Sequence, residues 1–115
     1  MDNEKYKNLT EQNNVVDYTT LNVTLKELSS KVQVNLTEKV KQIVSNNLIE
    51  KPSQHNRSSA QATSYYFVDL SRDEIEYIIE MYLELEASFL SESGDTTPTA
   101  SFYASLADKW SRCIL

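Results

Sequence analysis

The chain has very few of the residues on which most enzymes and small secreted scaffolds depend, since its 115 residues include one glycine, one histidine, one cysteine and two prolines. A single cysteine, Cys113, excludes an intrachain disulfide framework. The only histidine, His55, lies in a polar segment without a neighbouring cysteine or histidine, so neither a Cys–His catalytic pair nor a metal site is expected. The only glycine, Gly94, excludes a glycine-rich phosphate-binding loop. We therefore expect a protein that is not an enzyme and that holds no cofactor or metal.

Positive charge is also scarce, because 11 basic residues stand against 17 acidic ones and the net charge is −6. Direct binding of nucleic acid needs a basic stripe that reaches the phosphates, and an anionic membrane surface makes the same demand. No stretch approaches the roughly 18 consecutive apolar residues of a membrane span. The polar N-terminal stretch lacks the apolar core of a signal peptide. These features predict a cytoplasmic protein whose partners are proteins, with no direct binding of nucleic acid or membrane.

The clearest helix signal in the chain begins at Ser71. Ser71 and Glu74 have the spacing of a capping box, and Leu70 with Ile75 has that of a hydrophobic staple. No glycine or proline interrupts the chain from there to Gly94. Apolar residues recur at spacings of three and four: Ile75, Ile78, Tyr82, Leu85 and Phe89. Ile79, Leu83 and Leu90 widen this stripe on one side. The pattern predicts a helix over residues 71–90 that buries one broad face.

The opposite side of this predicted helix is acidic. Between Arg72 and Lys109 the chain has nine acidic residues and no basic residue. Five of them form a predicted acidic partner face: Asp73, Glu76, Glu80, Glu84 and Glu92. Three interpretations are open, namely a solvated face that keeps the protein soluble, a docking surface for a basic protein, and a decoy that imitates a phosphate track. A calcium site is disfavoured because a straight ridge does not converge its carboxylates.

A second helix is predicted after Gly94. Thr97 is a suitable N-cap, and Pro98 suits the first helical position. Apolar residues then form one stripe: Tyr103, Leu106, Ala107, Trp110 and Ile114. Because few residues separate the two helices, we expect them to pack as an antiparallel hairpin.

The stretch from residue 19 to residue 50 supports two interpretations. As a helix, its apolar residues recur every three or four positions: Leu21, Leu25, Leu28, Val32, Leu36, Val40 and Ile43. As strands, residues 20–25 and 31–36 alternate apolar and polar, with a third short strand at 64–68. The shortage of glycine and proline disfavours hairpin turns and favours one long helix over residues 19–50. The remaining alternative is a helix that breaks near Ser29–Ser30 and folds back.

A continuous helix of this length would have an apolar edge that the hairpin leaves uncovered. We therefore predict a homo-oligomer that assembles through this helix by coiled-coil packing. The residues predicted to form the self-interface are Leu25, Leu28, Val32 and Leu36, with Tyr65, Tyr66 and Phe67 as a second contact.

The predicted fold class is all-α, a long N-terminal helix plus a C-terminal antiparallel helical hairpin, and the alternative is α+β with the three short strands. The expected organisation is a flexible arm over residues 1–18, the long helix over 19–50, a polar linker over 51–63 and the hairpin domain over 64–115. The predicted function is a non-enzymatic protein–protein interaction module, either self-assembling or an accessory subunit of a larger complex. The alternative is an acidic inhibitor or decoy that occupies a basic, nucleic-acid-binding groove of a partner protein.

Overall fold

The computed structural model describes residues 3–50 and 64–114, and within them the chain is mostly helical. The chain divides into two compact units, Met1–Asp69 and Leu70–Leu115. This division lies a few residues after the boundary expected at residue 64. The predicted linker over residues 51–63, which includes His55, lies outside the described residues.

The first unit combines three helices with a small sheet. Its helices are α1 (Asn3–Thr10), α2 (Tyr18–Ser30) and α3 (Val34–Asn46), and its strands are β1 (Val15–Asp17) and β2 (Tyr65–Phe67). The strands pair antiparallel, with Val16 opposite Tyr66, and Leu48 forms a further bridge to Tyr66. The buried apolar residues of this unit are Val15, Val16, Leu21, Leu28, Leu36, Val40, Ile43, Ile49, Tyr66 and Val68.

The segment expected to be a flexible arm contains α1 and β1. The β-branched pair Val15 and Val16 is buried at 7% and 3% exposure because it pairs with a strand about 50 residues later in the chain. The strand considered at 64–68 in the α+β alternative is present as β2, whereas the strands considered near 20–25 and 31–36 are wrong, because residues 20–25 lie in α2 and residues 31–36 form the turn after α2 and the start of α3. Asp17 is the N-cap of α2, the helix that contains residues 20–25. Its side chain accepts hydrogen bonds from the backbone N–H and the hydroxyl of Thr20.

The single helix expected over residues 19–50 is wrong, because α2 ends at Ser30 and α3 begins at Val34. The turn between them is a Schellman motif, in which the N–H of Gln33 donates to the carbonyl of Leu28 and the N–H of Val32 donates to that of Ser29. Val32 has φ +58°, in the left-handed region where glycine is usual. The break near Ser29–Ser30, with α3 folded back against α2, is therefore the arrangement that forms.

The second unit is a pair of helices, α4 (Arg72–Ser88) and α5 (Pro98–Ser111), followed by one 3-10 turn at Arg112–Ile114. The predicted capping box is present at the start of α4: the N–H of Glu74 donates to the hydroxyl of Ser71, and the N–H of Ser71 donates to Glu74 Oε1. The two helices pack extensively against each other. Their buried side chains are Ile75, Ile78, Met81, Tyr82, Ala100, Leu106, Ala107 and Trp110.

Replacement of Val32 by glycine is expected to stabilise the protein. The left-handed conformation costs a side-chain-bearing residue roughly 1–2 kcal/mol, and glycine gives back part of that gain through its greater freedom in the unfolded chain. Val32 is 77% exposed, so its side chain contributes little burial in return. Val32→Gly should therefore raise the free energy of unfolding by about 1 kcal/mol, measured by urea unfolding followed by far-ultraviolet circular dichroism.

The matched control is Val34→Gly, because Val34 is also exposed but lies inside α3 with ordinary helical φ. It should lower the free energy of unfolding by up to about 1 kcal/mol. A Val32→Gly variant that is less stable than the wild type would show that the Val32 side chain makes a stabilising contact.

Candidate functional site

The net charge of the protein comes from its second unit. Residues 70–115 contain nine acidic and three basic residues, whereas residues 1–69 contain eight of each. The second unit therefore carries the whole net charge of −6 and the first unit is neutral.

The predicted acidic partner face is accessible to solvent. Asp73, Glu80, Glu84 and Glu92 are exposed, and Glu76 is partly exposed. Glu76 accepts a hydrogen bond from Arg72 Nε at 2.9 Å, an exposed ion pair that contributes little to stability. Two apolar side chains on α4 are also exposed, Tyr77 at 36% and Leu83 at 49%. The exposed side of α4 is thus a mixed surface of carboxylates and apolar groups.

The predicted self-interface does not form one surface. Three of its seven residues, Leu28, Leu36 and Tyr66, are buried at 0%, 8% and 2% exposure. Leu25, Tyr65 and Phe67 are half-buried, and Val32 alone is largely exposed. The reason is the break after Ser30, because the apolar edge expected to face a second chain instead packs between α2 and α3. The coiled-coil edge on which the expected homo-oligomer depended is therefore absent.

Three exposed apolar residues of the second unit lie at the end of α4 and in the second turn of α5. Phe89 and Phe102 are each 44% exposed, and Leu90 is 39% exposed. The ring of Tyr103 contacts both phenylalanine rings, with centroid distances of 5.6 Å to Phe89 and 5.8 Å to Phe102. We call Phe89, Leu90, Phe102 and Tyr103 the aromatic patch.

The aromatic patch is anchored to the core of the hairpin through Tyr82. The Tyr82 ring is fully buried, and it stacks on Tyr103 with a centroid distance of 6.0 Å and an interplanar angle of 27°. Aromatic pairs in this range of separation and angle attract each other. The patch is therefore continuous with the packed interior of the hairpin, although its phenylalanines face solvent.

A single threonine holds the two sides of the patch together. The hydroxyl of Thr97 accepts a hydrogen bond from the N–H of Ala100 at 3.1 Å and so caps α5. The same hydroxyl donates to the carbonyl of Phe89 at 2.7 Å, at the C-terminal end of α4. Thr97 thereby ties the residue that ends one helix to the first turn of the other.

The loop before Thr97 is closed by its own hydrogen bonds. The N–H of Gly94 donates to the carbonyl of Ser91 at 2.8 Å, and the N–H of Ser91 donates to the carbonyl of Asp95 at 2.9 Å. Gly94 has φ +84°, which a residue with a side chain adopts only with strain. Gly94 therefore lies in a turn that begins three residues beyond the end of α4.

Sequence reasoning assigned Phe89 and Leu90 to the buried stripe and did not single out Phe102. The stripe is only partly buried, since Leu83 inside α4 is 49% exposed and Phe89 and Leu90 lie beyond Ser88, where α4 ends. Phe102 lies four residues before the buried Leu106, a spacing that usually places two residues on the same face of a helix. Periodicity therefore does not indicate that Phe102 is exposed.

Two observations on the described residues bear on metal binding and on thiol chemistry. Among residues 3–50 and 64–114, no group of three or more histidine, cysteine or acidic side chains could hold a metal ion. Burial raises the pKa of the Cys113 thiol to about 11, an effect that the nearby Arg112 reduces only in part. A thiol with this pKa is protonated at neutral pH and is a poor nucleophile. No helix in the described part of the chain is long and apolar enough to cross a membrane.

A small cavity lies at the turn between α2 and α3. Its volume is about 240 Å³, and its lining includes Val32, Val34 and Thr37. The Thr37 hydroxyl is buried and has no hydrogen-bond partner. This volume is below the roughly 300–1,000 Å³ of typical ligand pockets. The aromatic patch with the surrounding carboxylates is therefore the stronger candidate for a functional surface.

Replacement of Thr97 by alanine tests how the patch is held. The change removes the cap of α5 and its link to Phe89, so the free energy of unfolding should fall by about 1–2 kcal/mol. Thr97→Ser retains the hydroxyl and should stay close to the wild type. Urea unfolding followed by the fluorescence of Trp110, the only tryptophan, reports on this unit because Trp110 is fully buried there. A Thr97→Ala variant as stable as the serine variant would contradict this role.

Comparison with protein-family models, curated proteins and solved structures finds no match to this chain.

Proposed function

We propose that the protein is a non-enzymatic, helical protein–protein interaction module that binds its partner through the aromatic patch. This proposal rests on the exposure of Phe89 and Phe102, whose rings both contact the ring of Tyr103. Aromatic side chains are enriched at the centres of protein interfaces, where they supply much of the binding free energy.

The exposed area is large enough to matter for binding. A phenylalanine buries on the order of 200 Å² when it is completely covered. With 44% of the side chain exposed, each of Phe89 and Phe102 has roughly 90 Å² left to bury, or about 2 kcal/mol at 25 cal/mol per Å². Two such residues side by side match the free energies of interface hot spots.

A different protein is better supported as the partner than a second copy of this chain. The aromatic patch belongs to the unit that carries a net charge of −6. A symmetric dimer through the patch would bring two such units together, and like charges close to each other oppose association. The long apolar helix edge on which self-assembly was predicted is also absent, because α2 ends at Ser30.

The decoy alternative has less support from the exposed surface of α4. The exposed apolar side chains of Tyr77 and Leu83 lie on the same helix as glutamates of the predicted acidic partner face. A surface that mixes carboxylates with apolar groups suits a protein partner better than it imitates a continuous phosphate track.

Selection from a displayed library of random 12-residue peptides tests the proposal. Peptides that enrich on the wild-type protein should bind the double variant Phe89→Ser with Phe102→Ser at least about tenfold more weakly, because about 1.4 kcal/mol or more of apolar burial is lost. Isothermal titration calorimetry measures the affinity of each peptide. Circular dichroism and Trp110 fluorescence check that the variant is folded.

The matched control replaces two exposed apolar residues of the first unit, Val34→Ser with Leu48→Ser, which are 64% and 50% exposed. This variant should bind the selected peptides as the wild type does. Failure of any peptide to enrich, or equal binding to the patch variant and the wild type, would contradict the proposed function.

A further inference from the structure

We propose that the partner segment bound by the aromatic patch is basic and carries arginine, whose guanidinium group lies against the exposed phenylalanine rings and pairs with the neighbouring carboxylates. This inference rests on the proposed function and specifies the chemistry of its partner. Three observations on the second unit lead to it: the sign of the charge around the patch, the distance of its own cations, and the aromatic character of the exposed rings.

The chain on the α4 side of the patch is acidic, whereas residues 96–107, which include Phe102 and Tyr103, carry no charge. Glu86 and Glu92 lie three residues before and three residues after Phe89, and Asp95 is in the loop that follows. Glu92 and Asp95 are exposed, and Glu86 is partly exposed. Residues 73–108 contain no lysine or arginine, so the segment that forms the patch supplies no cation to these carboxylates.

The basic residues of the same unit lie at the other ends of the two helices. Arg72 begins α4, about 25 Å along the helix axis from Phe89 at 1.5 Å per residue. Lys109 lies in the last turn of α5, about 10 Å along its axis from Phe102. Both separations exceed the screening length of about 8 Å at physiological ionic strength. Within this unit, the joined end of the hairpin therefore presents negative charge that its own cations do not neutralise.

The exposed rings select among basic partners. A cation over the face of an aromatic ring gains about 0.5–1 kcal/mol at an exposed site and more when water is excluded. Arginine suits a site with both rings and carboxylates, because its planar guanidinium stacks on a ring while its N–H groups donate to carboxylate oxygens. The lysine ammonium is more strongly hydrated and does not stack in this way. The combination of Phe89 and Phe102 with nearby acids thus favours arginine over lysine.

Three matched peptides test the inference. Each is ten residues long, acetylated and amidated, with leucine and alanine between four variable positions that carry arginine, lysine or citrulline. Citrulline retains the planar shape of arginine and about three of its five N–H donors, without its charge. Isothermal titration calorimetry with the full chain should give the arginine peptide the tightest binding, the lysine peptide at least about threefold weaker binding, and the citrulline peptide at least about tenfold weaker binding.

Two protein variants assign the preference to the patch. Phe89→Leu with Phe102→Leu keeps two apolar side chains but removes both exposed aromatic faces, so the arginine and lysine peptides should bind this variant with similar affinity. Glu86→Gln with Glu92→Gln should make the affinity for the arginine peptide less sensitive to salt between 50 and 300 mM. Glu38→Gln, at an exposed acid of the first unit, is the matched control and should change neither the preference nor the salt dependence.

The outcomes separate this inference from the proposed function. Equal binding of the arginine and citrulline peptides, or a preference for arginine over lysine that survives Phe89→Leu with Phe102→Leu, would overturn the inference. Library-selected peptides that depend on Phe89 and Phe102 but show no excess of arginine would also overturn it, while the proposed function would stand. Peptide binding that is insensitive to changes in the patch would contradict the proposed function itself.

Discussion

The two hydrogen bonds of the Thr97 hydroxyl are the constraint on which the aromatic patch depends. One comes from the N–H of Ala100 and begins α5, and the other goes to the carbonyl of Phe89 and ends α4. Because Tyr103 lies in the second turn of α5, this link sets the separation of Tyr103 from Phe89. Residues from two helices can then form one aromatic surface, although the chain between them includes the Ser91–Asp95 turn.

The two compact units of the chain differ in net charge. The unit built on the small sheet is neutral, and the helical hairpin carries the whole net charge of −6. An exposed apolar patch on an uncharged surface would favour self-association, whereas the same patch in an acidic setting disfavours a second copy and attracts a basic partner. The proposed function and the proposed partner both follow from this combination of exposed aromatic rings and unneutralised carboxylates.

Helix ends set by local side-chain chemistry were predictable from the sequence. The Ser71–Glu74 capping box and the Thr97–Pro98 start placed α4 and α5 close to their actual bounds, because each signal involves residues within one helical turn. The pairing of Val15 and Val16 with the strand at Tyr65–Phe67 was not, because nothing local records a partner about 50 residues away. The break near Ser29–Ser30 was considered only as the alternative to one long helix, because Val32 occupies a left-handed position where glycine is usual. The acidic side of α4 was evident from the charge spacing, whereas the exposure of Phe89 was not, because Phe89 lies just beyond the end of α4 at Ser88.

Solution NMR on the full chain measures the central claim most directly. We expect nuclear Overhauser contacts from the Tyr103 ring to the rings of both Phe89 and Phe102. A soluble gadolinium chelate should strongly relax the ring protons of Phe89 and Phe102 and leave those of the buried Tyr82 protected. Absence of these contacts, or phenylalanine rings as protected as Tyr82, would contradict the account, because no exposed aromatic surface would then exist at the joined end of the hairpin.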